Sequence, residues 1–146
     1  MADGENLHLR LELVAPRGLV FEGDVEMVVV PAVTGELGIL AHHAPLVAQL
    51  AIGQLRALTP EGRWLTFAVA EGFAKVQFNK VIVLADTAEE ASSIDVPRAE
   101  ASVARALQRL EMHRLATVPE DDVVDPYREQ LALKRARNRL KISQLA

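Results

Sequence analysis

The chain of 146 residues contains no cysteine. Disulfides, thiolate metal ligands and a cysteine nucleophile are therefore excluded, which suits a reducing compartment without identifying it. Aromatic residues make up 4% of the chain, and 16 basic residues stand against 20 acidic ones. The resulting formal net charge of -4 gives no global electrostatic reason to expect nucleic-acid binding. Any basic surface must therefore be local.

Long apolar runs are also absent. No stretch approaches the ~20 residues that a membrane helix needs, and the nearest, at residues 25–33, is interrupted by Glu26 and Pro31. The start of the chain is acidic and lacks the basic and then apolar order of a signal peptide, so we expect no export.

What the sequence does contain is a β-rich first half. Residues 7–13 alternate strictly between leucine and polar residues, a pattern typical of a half-buried strand. Further short strands are predicted at residues 25–30, 46–52, 54–58, 64–70, 73–78 and 81–84. Close turns at Glu71-Gly72 and Asn79-Lys80 indicate successive hairpins. Together these features predict an antiparallel β-sandwich or barrel with sequentially paired strands.

The second half is rich in helix formers and has no glycine after Asp86. Two helices with narrow apolar stripes are predicted. The stripes are formed by Ala99, Val103, Ala106, Leu107 and Leu110, and by Leu133, Ala136 and Leu140. Asp125-Pro126 supplies an N-cap and a first-turn proline for the second helix, and the break at residues 119–122 indicates an antiparallel hairpin. We therefore place a sandwich at residues 1–90 and a helical hairpin at residues 91–146, docked with only marginal stability.

One segment of the β-rich half resembles a known family. Residues 35–47 read GELGILAHHAPLV and closely resemble the signature of the epsilon subunit of bacterial F-type ATP synthases. Further blocks match that family in order and spacing: VEMV at residues 25–28, EGFAKV at 71–76, VLADTAE at 83–89 and LALKRARNRL at 131–140. The resemblance implies a sandwich of about ten strands followed by a helical hairpin, which agrees with the fold that the periodicities predict.

The same resemblance implies a non-catalytic rotor subunit. Its sandwich is expected to bind the gamma subunit and the ring of c subunits, while its hairpin restrains ATP hydrolysis against the catalytic beta and alpha subunits. Such a protein lies at the cytoplasmic face of the bacterial cell membrane, is peripheral and associates with the membrane only through the complex.

Glu36 and His43 are the residues that the resemblance places against the polar loops of the c ring. Gly35 and Gly38 permit a turn that projects Glu36 from the sheet, and a merely solvated turn is the alternative. A metal site at His42 and His43 is not expected, because neighbouring side chains of an extended segment point to opposite faces and no carboxylate cluster completes a coordination shell.

A second motif points to a nucleotide. Residues 94–99 read IDVPRA and match the family's Ile/Leu-Asp-x-x-Arg-Ala motif, which is associated in some bacterial members with ATP binding. If Asp95 caps the helix, Arg98 lies in its first turn, where free N–H groups and the positive helix end favour an anion. Pro97 has no N–H, so Asp95 is expected to accept from the N–H of Arg98. Ordinary capping explains the same residues without a ligand.

The second helix strengthens the nucleotide hypothesis. Arg128, Arg135 and Arg139 fall on one side of it, and such cations repel one another unless an anion or an acidic surface lies nearby. In ATP-binding relatives, the matching residues lie around the adenosine and at the phosphates. The first set is Glu89, Ile94, Asp95, Arg98 and Ala99, and the second is Arg135 and Arg139. Because no glycine-rich phosphate loop accompanies them, we expect ATP as a regulatory ligand, with no cofactor required.

The same basic helix has a competing use. In the extended state of the family it lies against acidic segments of the catalytic beta subunits. The basic residues for that contact are Arg128, Lys134, Arg135, Arg137 and Arg139. ATP is therefore expected to stabilise the folded, non-inhibitory hairpin, and loss of ATP to free the helix to block rotation.

Two other functions stay open on the residues alone. The first is a stand-alone β-sandwich module that binds a protein and carries a helical tail. The second is an enzyme that uses Asp95, His113 and the arginines, but the sequence offers it no nucleophile–base spacing and no metal shell.

Overall fold

The computed structural model describes residues 8–116 and 125–146. Strands fill the first part of the chain and helices the second, as the sequence predicts. The strands are β1 (Leu9–Ala15), β2 (Gly18–Val25), β3 (Met27–Ala32), β4 (Gly35–Leu40), β5 (Leu46–Gln49), β6 (Gly53–Leu58), β7 (Trp64–Gln77) and β8 (Lys80–Glu90). A 3₁₀ turn (Ala91–Ser93) leads to helices α1 (Val96–Arg114) and α2 (Pro126–Ser143). The predicted helix break at residues 119–122 lies outside the described residues.

The eight described strands form a β-sandwich with the order β2-β1-β8-β7-β6-β3-β4, and β5 adds to β7. The predicted β-sandwich with a following helical hairpin is confirmed, with somewhat fewer strands than the resemblance implies. Sequential pairing is wrong in part, because β1 lies parallel to β8 and β3 pairs with β6. Strand β1 therefore has a partner on each edge, β2 and β8. Its backbone groups are thus protected from solvent and from other chains.

Strand β7 is one continuous strand that passes from one layer of the sandwich to the other. Its first half pairs with β6 and its second half with β5. Between them Glu71 and Gly72 have φ angles of 59° and 106°, and a Cβ on Gly72 would collide with the carbonyl oxygen of Leu84. The hairpin predicted at Glu71-Gly72 is therefore wrong. The two residues bend the strand while its pairing with β8 continues on both sides.

The second predicted hairpin, between β7 and β8, is confirmed, but its turn lies one residue earlier than the predicted Asn79-Lys80. Phe78 and Asn79 have φ angles of 50° and 56°, as both central residues of a type I′ turn require. Gln77 and Lys80 pair across the turn. Positive φ angles thus reverse the chain at the C-terminal end of β7, whereas at its middle they bend the strand without reversing it.

The core lies between the two layers and contains the alternating leucines of β1. Leu9, Leu11 and Leu13 are fully buried, which confirms the predicted face. Phe21 on β2 contacts Phe67 on β7, with ring centroids 5.7 Å apart. Strands β2 and β4 are not predicted from the sequence, because glycines and charged residues interrupt the apolar pattern there.

Both helices begin at the predicted caps. The carboxylate of Asp95 accepts from the N–H of Arg98 at 3.1 Å, as the missing N–H of Pro97 requires. The carboxylate of Asp125 accepts from the N–H groups of Tyr127 and Arg128 at 3.0 and 3.5 Å. Each cap satisfies donors of the first turn that have no partner within the helix.

Helix α1 packs mainly on α2, and its apolar contact is narrower than predicted. Ala99 and Ala106 are buried, but Leu107 is 44% exposed. The prediction that Leu107 belongs to the buried stripe is wrong, because the contact between two single helices covers only a narrow strip of each.

Helix α2 attaches the hairpin to the sandwich. Ile142 is 1% exposed and packs with Ala68, Ala91 and Ile94. Ile142 is not part of the predicted apolar stripe, because at the usual helical period it lies on the opposite side of the helix from Leu133. Helix α2 therefore buries one side against α1 and another against the sandwich.

Candidate functional site

A cavity of about 730 Å³ lies between the hairpin and the sandwich. Its walls come from both helices, from β7 and β8, and from the turn between β1 and β2. The volume falls within the range of about 300–1,000 Å³ that is common for small-molecule sites. Among the described residues, six arginines and three carboxylates provide its charge: Arg17, Arg98, Arg105, Arg109, Arg135 and Arg139 against Asp86, Glu89 and Glu129. The cavity is thus a local basic site on an acidic protein, and it favours an anionic ligand.

Helical spacing brings most of these arginines together. Arg98, Arg105 and Arg109 are seven and four residues apart on α1, and Arg135 and Arg139 are four apart on α2. Such spacings place the side chains on one side of each helix. Because the helices pack on each other, both rows face the same gap above the sandwich.

Arg139 is bound by a carboxylate of the sandwich. Its Nε and Nη2 atoms donate to the carboxylate of Glu89 on β8 at 2.8 and 3.0 Å. The two side chains are 22% and 38% exposed, so this two-point ion pair is partly shielded from water. The resemblance assigns Glu89 to the adenosine and Arg139 to the phosphates, whereas here they bind each other. A phosphate that takes these two N–H donors of Arg139 would displace Glu89.

A second ion pair joins the two helices. Arg109 Nη1 donates to a carboxylate oxygen of Glu129 at 3.1 Å, and the Glu129 side chain is only 13% exposed. This pair crosses the hairpin where α1 and α2 face each other. The contact stabilises the closed hairpin and takes one arginine and one carboxylate out of the charge available to a ligand.

Arg98 and Arg135 keep their charge available. In the described parts of the chain, neither guanidinium has a carboxylate oxygen within 4.0 Å. Arg98 lies in the first turn of α1, where the positive end of the helix adds to its charge. Arg135 is half-buried in the wall formed by α2. These two side chains are the strongest candidates for contact with an anion.

Three of the predicted nucleotide residues do not line the cavity. Asp95 is exposed and caps α1, while Ile94 and Ala99 are 8% and 0% exposed. They hold the start of α1 in place and so position Arg98. The structure brings together the other four predicted residues, Glu89, Arg98, Arg135 and Arg139, in the cavity lining.

The basic residues of α2 divide into two groups. Arg135 and Arg139 line the cavity, whereas Arg128, Lys134 and Arg137 are exposed. Arg128 points in a similar direction to Arg135 but lies about 10 Å earlier along the helix, outside the lining. The exposed group stays accessible to another protein while the hairpin is closed.

The two predicted c-ring residues are well separated. Residues 35–40 form β4, so the expected turn at both Gly35 and Gly38 is wrong in part: Gly38 lies within the strand, close to Met27 of β3, and only Gly35 of the two has a turn-like φ, of 128°. Glu36 at the start of β4 is exposed, with Arg56 Nη2 3.8 Å from its carboxylate. His43 follows the far end of β4 and is half-buried.

The turn before His43 contains a residue in an uncommon backbone conformation. Its His42 has a φ of 66°, in the left-handed region that glycine adopts most easily. The N–H of His42 donates to Oδ1 of Asn79 at 2.6 Å. The histidine thus adopts the glycine-like conformation with support from the β7–β8 turn.

Three arginines of the cavity, Arg17, Arg105 and Arg109, are not among the predicted site residues. Helical spacing does place Arg105 and Arg109 on the same side of α1 as Arg98. Nothing in the sequence indicates that the turn between β1 and β2, which carries Arg17, reaches the hairpin. Among the described residues, no group of three or more His, Cys, Asp or Glu side chains could hold a metal ion. Within the same residues, no helix is long and apolar enough to cross a membrane.

Comparison with known proteins covers both halves of the chain. Residues 8–91 match the family model described as the beta-sandwich domain of the ATP synthase delta/epsilon chain. Residues 92–144 match the model of the long alpha-helix domain of the same chain. The two matches meet just after the end of β8.

Individual relatives agree with these models. The chain is 42% identical over 135 residues to the ATP synthase epsilon chain of Desulforamulus reducens, covering 92% of this chain and 96% of that protein. It is 45% identical over 135 residues to the ATP synthase epsilon chain of Bacillus pumilus, with the same coverage of both chains. Its fold is similar to a chain in the cryo-EM structure of the Euglena gracilis mitochondrial ATP synthase, with a TM-score of 0.73 at 21% identity, covering 94% of this chain and 83% of that one.

Proposed function

Because the chain belongs to the ATP synthase delta/epsilon family, we propose that it is the epsilon subunit of the central stalk of an F-type ATP synthase. In this role it is a non-catalytic subunit. Its sandwich binds the gamma subunit and the c ring, and its hairpin regulates ATP hydrolysis. The complex holds it at the cytoplasmic face of the membrane as a peripheral protein.

The observation that carries the regulatory part of the proposal is the arginine-lined cavity. A nucleoside triphosphate carries several negative charges on one end, and guanidinium groups bind phosphate oxygens through charge-assisted hydrogen bonds. Arg98 and Arg135 offer such donors from two different helices. ATP bound between them acts as a regulatory ligand, since no glycine-rich loop is present to support hydrolysis.

ATP favours the closed hairpin by mass action. Its binding groups come from α1, α2 and β8, and only the closed arrangement brings them together. A ligand that binds one state alone stabilises it by about 2.7 kcal/mol at a hundredfold excess over its dissociation constant. When ATP is scarce, the hairpin opens and its basic helix contacts acidic segments of the catalytic beta subunits.

The sandwich offers separate surfaces for the rotor. Phe73 and Leu84 are 54% and 55% exposed and are paired across β7 and β8, with Val14 of β1 paired to Leu84 on its other side. Side chains of directly paired residues share one face of a sheet, and an exposed apolar row of this kind favours a protein partner. We assign this row to the gamma subunit. Glu36 and His43, at opposite ends of β4, are assigned to the c ring.

Calorimetric titration of the full chain with ATP tests the proposal. We expect binding to the wild type and a tenfold to hundredfold weaker affinity for Arg135→Ala, because a charge-assisted contact contributes about 1.5–3 kcal/mol. The matched control is Arg137→Ala, which removes an exposed arginine of the same helix and should leave the affinity unchanged. Absence of binding by the wild type at millimolar ATP would overturn the sensor, and equal affinities of all the variants would place the phosphates elsewhere.

A further inference from the structure

Within the part of the chain that the structure describes, the sandwich contributes a single arginine, Arg17, to the cavity, and it lies in a tight turn. Ala15 and Gly18 pair at the ends of β1 and β2, so Pro16 and Arg17 form a two-residue connection. Proline fixes its own φ near the value that the first central position of a type I turn needs, and Gly18 has a φ of 124°. Arg17 is therefore held by the backbone of the sandwich, independently of the hairpin.

The charge of Arg17 is available to a ligand. In the described parts of the chain no carboxylate oxygen lies within 4.0 Å of its guanidinium. The cavity carboxylate nearest along the sheet is Asp86, because β1 runs parallel to β8 and Val14 pairs with Leu84. Glu89 lies about 10 Å further along β8 and is bound to Arg139.

Cations without a carboxylate partner stand on both walls of the cavity. Glu89 neutralises Arg139, whereas Arg17 on the sandwich and Arg98 and Arg135 on the helices line the cavity without an ion pair in the described residues. A chain of several phosphates reaches further than a single phosphate, so it can contact cations of both walls at once.

We propose that Arg17 is a phosphate-binding residue that bridges the ligand to the sandwich and makes the site selective for a nucleoside triphosphate over the monophosphate. This inference rests on the proposed function, and it assigns the discrimination between phosphate chains of different length to the Arg17 guanidinium. The ligand then contacts the sandwich and the hairpin directly, because Arg17 belongs to the sandwich and Arg135 to the hairpin.

The test compares ATP, ADP and AMP affinities of the full-length wild type with those of Arg17→Gln. We expect Arg17→Gln to weaken ATP binding about tenfold and AMP binding less than about twofold, because only the longer phosphate chain reaches the second wall. Arg17→Lys keeps the charge without the planar fork and should recover part of the ATP affinity. Arg63→Gln is the matched control: Arg63 is exposed near the β6–β7 turn, outside the cavity lining.

The outcomes separate this inference from the proposed function. If the wild type binds ATP and Arg17→Gln binds it equally well, the role of Arg17 is overturned while the sensor stands. Equal losses for ATP and AMP, or an equal loss in Arg63→Gln, would also overturn it, since they indicate only a general effect of charge. If the wild type binds no ATP, the proposed function fails, and this inference fails with it.

Discussion

Breaking the ion pair between Glu89 and Arg139 should loosen the hairpin from the sandwich. The pair is the one ion pair in the described residues that joins α2 to a strand of the sandwich. Its two hydrogen bonds are short, at 2.8 and 3.0 Å. Both partners lie at the rim of the cavity rather than in a core, so either can be replaced without leaving a deeply buried charge.

The expected coupling free energy of the Glu89–Arg139 ion pair lies between two limits. A charge-assisted hydrogen bond contributes about 1.5–3 kcal/mol when shielded, whereas a fully exposed ion pair contributes about 0–1 kcal/mol. Side chains that are 22% and 38% exposed fall between these cases, and we expect a coupling of about 1–2 kcal/mol. That corresponds to an opening equilibrium raised about 5- to 30-fold.

Amide hydrogen exchange of α2 measures that opening. A double-mutant cycle of Glu89→Gln and Arg139→Gln isolates the pair, since the two glutamines keep the approximate shape of the side chains. Glu90→Gln and Arg137→Gln form the control cycle, because both residues are exposed neighbours without an ion pair in the described residues. A coupling below about 0.3 kcal/mol for Glu89 and Arg139, or one no larger than in the control cycle, would refute the reasoning.

Three further results are expected. Ile142→Ala should weaken docking of the hairpin by about 2–5 kcal/mol, seen as faster exchange in α2 with the unfolding midpoint of the sandwich unchanged; a fall in both would contradict the separate roles. Gly72→Ala should cost about 3 kcal/mol or more in urea unfolding, whereas Gly62→Ala, which has a φ of 83° and open space around it, should cost about 1–2 kcal/mol; equal losses would refute the steric argument. Leu84→Asp should weaken the complex with the gamma subunit at least tenfold in a pull-down titration, while Val33→Asp, which replaces a residue that is 55% exposed elsewhere on the sandwich, should not.

The sequence predicts those parts of the fold that depend only on residues close together in the chain. The alternation of leucines in β1 and the caps at Asp95 and Asp125 depend on neighbouring residues, and the structure confirms them. The bend at Gly72 could not be distinguished from a hairpin, because the same local conformations serve both and the choice depends on β8 pairing along the whole strand.

In the candidate site, too, some residues are predicted by local spacing and others are not. The arginines of α1 and α2 are ordered by helical spacing, so their clustering can be read from the sequence. Arg17 and Ile142 depend on how separate elements meet across the hairpin, and no local pattern marks them. The pairing of Glu89 with Arg139 likewise requires the sandwich and the hairpin to be docked.

The most direct test of the central claim is whether ATP holds the hairpin on the sandwich. Ala91→Cys places a thiol under α2, in a chain with no other cysteine, at a position that is 5% exposed and packed with Ile142. Ala91 does not line the cavity, so ATP cannot shield it directly. At a hundredfold excess of ATP over its dissociation constant, the rate of thiol modification should fall about a hundredfold. An unchanged rate with ATP bound would contradict the account.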